Sequence, residues 1–134
     1  SPLRSLNFVT QKIIQGAKKT VINPNYKIRL GNLNVFRDWG WAEEYVNAMY
    51  KINKNDSRDN HIICTGEVHS IEEFAIKVYE KMNLNFYDHV EIDKHLTRKF
   101  DIKKNYGDPT KLKEKLGWEA TKKFNDIINL LLEE

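Results

Sequence analysis

Apolar residues recur with a helical period in several stretches of the chain, separated by short extended runs and polar turns. Val9, Ile13, Ala17 and Val21 define one face of a first helix, with Phe8 and Ile14 beside it, while Gln11, Gln15, Lys18 and Lys19 face elsewhere. Asn23-Pro24-Asn25 breaks that helix and leads into a strand from Lys27 to Leu30, which Gly31 ends. After a polar turn around Asn32 and Asn34, the spacing of Trp41, Tyr45, Met49 and Ile52 predicts a second amphipathic helix. Asn53 to Asn60 reads as a loop, and His61 to Thr65 as a buried-type strand stopped by Gly66. Ser70 with Glu73 forms a reciprocal capping pair for a third helix, whose core face is Ile71, Phe74, Ala75, Val78 and Met82. Phe86 to Asp93 alternates loosely and reads as extended, whereas Lys94 to Asn105 has no firm period. Asp108-Pro109 opens a short helix that Gly117 closes, and Phe124, Ile127, Ile128 and Leu131 mark a last helix running to the terminus. Helices alternating with a few short strands predict an α/β unit with a small open sheet.

Composition widens this picture only slightly. The 134 residues, 40% hydrophobic, fit one domain with a true core. A formal charge of +3 tolerates an anionic small molecule. It neither requires nor excludes nucleic acid, but no basic run is interleaved with exposed aromatics, so no nucleic-acid partner is expected. No apolar run is long enough for a membrane span, no leader is visible, and the single cysteine, Cys64, favours a reducing, cytoplasmic setting.

The candidate chemistry is cationic. Arg37 stands where a turn feeds an anchored helix, so its planar five-donor group can be aimed at a phosphate or carboxylate. The competing reading makes Arg37 and Asp38 a solvated pair at a helix start, with Asp38 or a neighbour capping the first turn. Arg4, Lys12 and Arg98 also lie beside apolar anchors and could join Arg37 around a diphosphate. Tyr50 and Lys54 meet the bare Tyr-x-x-x-Lys spacing but border a loop, and no glycine-rich dinucleotide or Walker loop occurs. His61, His69, His89 and His95 lack ligand spacing, and Cys64 has no activating base, so no metal site and no catalytic residue is assigned.

The segment Gly-Asn-Leu-Asn-Val-Phe-Arg-Asp-Trp-Gly-Trp, from Gly31 to Trp41, resembles the corresponding stretch of GDP-mannose 4,6-dehydratases, which are extended short-chain dehydrogenases. The likeness runs from the Ser1-Pro2 lead-in through Phe8 to Ile13, Thr65 to Ser70, Val90 to Asp93, Gly107 to Lys111 and Lys115 to Trp118. It implies that residues 1–134 are the small C-terminal, nucleotide-sugar-binding domain of such an enzyme, with the N-terminal NADP-binding Rossmann domain absent and its covering face left apolar and exposed. It also implies GDP-mannose as substrate, NADP as cofactor and a homo-oligomeric parent enzyme that dehydrates the sugar by hydride transfer, loss of water and hydride return. By that resemblance Val9, Lys12, Arg37 and Arg98 contact the substrate and Arg4 touches NADP, while the catalytic residues lie in the other domain. Leu3, Ser5 and Gln11 depart from the family's arginine, glycine and arginine. A related dehydratase or epimerase, or an inactive interaction module, are the alternatives.

Overall fold

The computed structural model describes residues 3–55, 59–97 and 100–133. Arg98 and the Ser1-Pro2 lead-in lie outside them. Helix α1, Val9–Ile22, packs on α3, Ile71–Lys81, and α3 in turn packs on α5, Phe124–Leu132. Beside α1 runs a parallel two-stranded sheet of β1, Ile28–Leu30, and β4, Val90–Ile92. Their main core holds Ile13, Ile14, Ile28, Phe74, Val78, Tyr79, Phe86 and Ile128, all nearly inaccessible to solvent. Gly16 lets α1 lie this close to β1, because a Cβ there would stand 2.7 Å from a methyl of Ile28.

A second sheet orders its strands β3, His69–Ser70; β2, Phe36–Arg37; and β5, Lys104–Asn105. Strand β2 runs antiparallel to β3 and parallel to β5. Helix α2, Ala42–Lys54, and α4, Thr110–Leu116, share a smaller core of Ala48, Leu112, Trp118 and Ala120.

Several expected patterns shift in detail. On α1 the buried face turns toward Thr10, Gln11, Ile14 and Thr20, leaving Val21 exposed. Thr20 can be buried because its hydroxyl donates to the Gly16 carbonyl at 2.9 Å. On α2 the buried position is Ala48, not Met49, which is 57% exposed. The helix also continues to Lys54, into the expected loop.

Ser70 caps α3 by accepting from the Glu73 amide at 2.9 Å, but the Glu73 carboxylate turns to His69 instead of closing the reciprocal bond. Phe86–His89 forms a 3₁₀ turn before β4, because the Asn85 side chain accepts from the Tyr87 amide. His61 to Thr65 is not a strand, since it has no ladder partner among the described residues. Gly117 does end α4, in the left-handed conformation at φ 60°.

Candidate functional site

Arg37 occupies the middle strand of the three-stranded sheet, not a turn. Its position gives the side chain acceptors from both chain directions. Nη1 donates to the Phe36 carbonyl at 2.7 Å and to the Ile102 carbonyl at 2.6 Å. Nη2 donates to Asp101 Oδ1 at 2.7 Å. The guanidinium is therefore held in one plane, yet the side chain keeps 28% of its exposure. Three of its five N–H groups are engaged, and the Nε–H and second Nη2–H have no acceptor among the described residues. An arginine so braced can present two donors to an anion without first losing side-chain freedom.

Asp38 neither pairs with Arg37 nor caps α2. Trp41 occupies the N-cap position of that helix, without a side-chain hydrogen bond. The Asp38 carboxylate instead accepts from the Thr65 amide at 3.0 and 3.1 Å, the Thr65 hydroxyl at 2.7 Å and the Gly66 amide at 2.9 Å. The Tyr45 hydroxyl approaches it at 3.5 Å. Burial, followed by the charge of Asp38, pushes the Tyr45 phenol above its ordinary range, so Tyr45 remains a donor. The same two causes raise the buried Cys64 thiol, which is thus poorly suited to be a nucleophile.

His69 stands directly across the β2–β3 ladder from Arg37. Its ring stacks on Phe124 with centroids 3.7 Å apart and planes 9° apart, and its Nδ1 lies 2.8 Å from Glu73 Oε1. Glu67 Oε2 is 3.8 Å from Nε2 and the other Glu67 oxygen pairs with Lys123. Trp39, two residues beyond Arg37, stacks on Phe124 and tilts against Phe74. The aromatic group thus fixes the exit of β2 to α3 and α5.

Lys12 is one of seven residues lining a hollow of about 290 Å³, with Lys19, Tyr26 and Gly16 among the others. Arg37 does not line it. Val9 packs partly buried against the main core. Arg4 is exposed, its guanidinium 4.4 Å from the Phe8 ring centroid. Tyr50 and Lys54 border a shallow groove of about 800 Å³ on α2. Arg37 lines neither of these hollows.

Sequence reasoning missed Asp38, Asp101 and His69. Asp38 and Asp101 exert their effects across chain separations of 27 and 64 residues, which no local period encodes. His69 was within reach, because it lies inside the Thr65 to Ser70 segment that carried part of the resemblance.

The family model described as GDP-mannose 4,6 dehydratase matches residues 1–131. GDP-mannose 4,6 dehydratase 1 of Arabidopsis thaliana is 36% identical over 134 residues, covering 100% of this chain and 37% of that protein. The Homo sapiens GDP-mannose 4,6 dehydratase is 36% identical over 145 residues, covering 96% of this chain and 39% of that protein. The chain thus spans less than half the length of the curated relatives it matches. Among solved structures, RMD from Pseudomonas aeruginosa, complexed with NADPH, superposes with a TM-score of 0.82 at 15% identity, over 97% of this chain and 43% of that one. The dTDP-glucose 4,6-dehydratase of Bacillus anthracis, with NAD, superposes at 0.79 and 13% identity, over 99% of this chain and 40% of that one. These two likenesses establish the fold.

Proposed function

Because the chain belongs to the GDP-mannose 4,6-dehydratase family, we propose that it is the sugar-nucleotide-binding portion of such an enzyme, with GDP-mannose as the substrate. The observation that carries this reading is the immobilised, partly exposed guanidinium of Arg37, whose remaining two donors suit one phosphate of a diphosphate. Lys12 offers a second cation from its hollow and Val9 an apolar contact at the edge of the main core, and the resemblance adds Arg98, outside the described residues, as a third cation. In this reading one sugar nucleotide reaches both the Arg37 guanidinium and Lys12.

NADP would supply the hydride chemistry that converts GDP-mannose to the 4-keto-6-deoxy product. The described residues do not form a cradle for a dinucleotide: Arg4 is one exposed cation over Phe8. This chain's own part is to bind and orient the sugar nucleotide, and by itself it is catalytically silent.

The face of α2 supports docking onto the remaining portion of such an enzyme. Val46, Met49 and Tyr50 are exposed there, and Ile62 is exposed on the segment that follows. The same face is what an inactive interaction module would use. The two readings separate when the cofactor-binding portion of a relative is added and Arg37→Ala is compared with wild type in GDP-mannose turnover. Loss of a charge-assisted contact of about 1.5–3 kcal/mol corresponds to roughly a ten- to hundredfold fall in kcat/KM. An unchanged rate would sink the assignment. Competition by GDP over UDP and CDP distinguishes a GDP-sugar enzyme from a sibling dehydratase or epimerase.

A further inference from the structure

Arg37 does not carry a bare positive charge. Asp101 Oδ1 lies 2.7 Å from Nη2, and both side chains are largely withdrawn from water, at 28% and 23% exposure. The two carbonyls on Nη1 come from Phe36, on the strand of Arg37 itself, and from Ile102, the neighbour of Asp101. They hold the guanidinium whether or not its counter-charge is present, because Phe36 is fixed in β2 and the Lys103 carbonyl accepts from the Phe36 amide at 2.7 Å. Aim and charge are therefore set by different groups: backbone carbonyls supply the aim, and Asp101 sets the charge.

An anion approaching the unengaged Nε–H and Nη2–H meets a guanidinium whose charge is already balanced. It also feels the carboxylate on the other side of the same small plane. At that separation and partial burial the repulsion is not fully screened. A small inorganic phosphate has only this contact to offset the repulsion, whereas a sugar nucleotide has its base, ribose and sugar to bind elsewhere.

Building on the reading of Arg37 as a diphosphate contact, we propose that Asp101 is a specificity-determining counter-charge that keeps Arg37 from retaining free phosphate or pyrophosphate. The site then grips a diphosphate firmly only when the rest of a nucleotide is attached. No proton or bond is exchanged in this role.

The test titrates the full chain with inorganic pyrophosphate by isothermal titration calorimetry, which reads binding in every variant, and follows the Arg37 side-chain Nε–H by NMR where that arginine is present. Asp101→Asn keeps an oxygen at the acceptor position while removing the charge. It should bind pyrophosphate about three- to tenfold more tightly, and that gain should shrink as salt is raised. Asp101→Glu, which keeps the charge, should stay near wild type, and in an Arg37→Ala background the Asp101→Asn gain should vanish. Circular dichroism melting confirms that each variant is folded. If Asp101→Asn binds pyrophosphate as wild type does, or more weakly, with Arg37→Ala still losing binding, the counter-charge role is overturned and the diphosphate contact stands. If Arg37→Ala leaves pyrophosphate binding unchanged, the diphosphate contact itself fails, and this inference with it.

Discussion

The half of the molecule built on α1, α3, α5 and the β1–β4 pair buries a large core, and the half built on α2 and α4 buries a small one. In the first, Phe74, Val78, Tyr79 and Ile128 are at most 1% exposed, and aromatic rings from three elements meet around Phe124. In the second, the buried core is Ala48, Leu112, Trp118 and Ala120, and Val46, Met49 and Tyr50 stand in solvent on an amphipathic helix. An apolar stripe states that a face needs covering, and it does not say by what. The Arg37 site is built at the seam, on a strand whose aromatic exit belongs to the first half and whose next residue, Asp38, holds the second.

Substitutions of similar chemistry on the two sides would test this contrast most sharply. Phe74→Ala removes a ring packed between Trp39 and Phe124 and should cost about 3–5 kcal/mol in urea unfolding. Met49→Ala on α2 should cost less than about 0.5 kcal/mol. Equal costs would mean that the halves are equally packed and would erase the distinction.

A smaller effect should come from the seam. Asp38→Asn takes the charge from a carboxylate that accepts from Thr65 and Gly66, worth about 1.5–3 kcal/mol for hydrogen bonds to a charged group. Amide exchange at Thr65 and Gly66 should accelerate while the amides of α3 stay protected. Acceleration spread evenly across both halves would show that they open as one unit.

The smallest effect lies wholly within the second half. Burial raises the Glu44 carboxyl, but the Thr121 hydroxyl and the Thr121 and Lys122 amides outweigh it, so the pKa falls below the ordinary 4.5. A carboxyl lowered in the folded state stabilises above its unfolded value, and that contribution disappears as pH falls through the folded value. Glu44→Gln should therefore narrow the stability gap between about pH 6 and pH 3 in urea titrations. An unchanged gap would leave the α2 tie to Thr121 without weight.

Local rules found what local forces make. Ser70 as a cap, Gly117 as a left-handed stop and the Phe124 to Leu131 face all stand where capping and helical periodicity put them. Its place before an anchored helix marks Arg37 as a candidate, the resemblance suggests its ligand, and the structure gives the residue its brace. What escaped was set by partners far along the chain. Phe36 and Arg37 become a strand only because residues 69–70 and 104–105 flank them, and two-residue strands have no alternation to read. His61 to Thr65 failed for the opposite reason, with strand composition but no strand beside it among the described residues to form a ladder. The turn into Gln11 and Thr20 on α1 was hidden because polar residues can be buried once hydrogen-bonded, and hydropathy alone does not reveal that.

The parallel pairing of Arg37 with Asn105 sets an order of events during synthesis. A growing chain displays Arg37 long before Asp101, Ile102 and the strand after them have been made. Until then the guanidinium is an ordinary mobile cation, free to meet any nucleotide or acidic surface near the ribosome. Arg37 is thus made 64 residues before the Asp101 that pairs with it, and its side chain takes a fixed aim only when that later segment arrives.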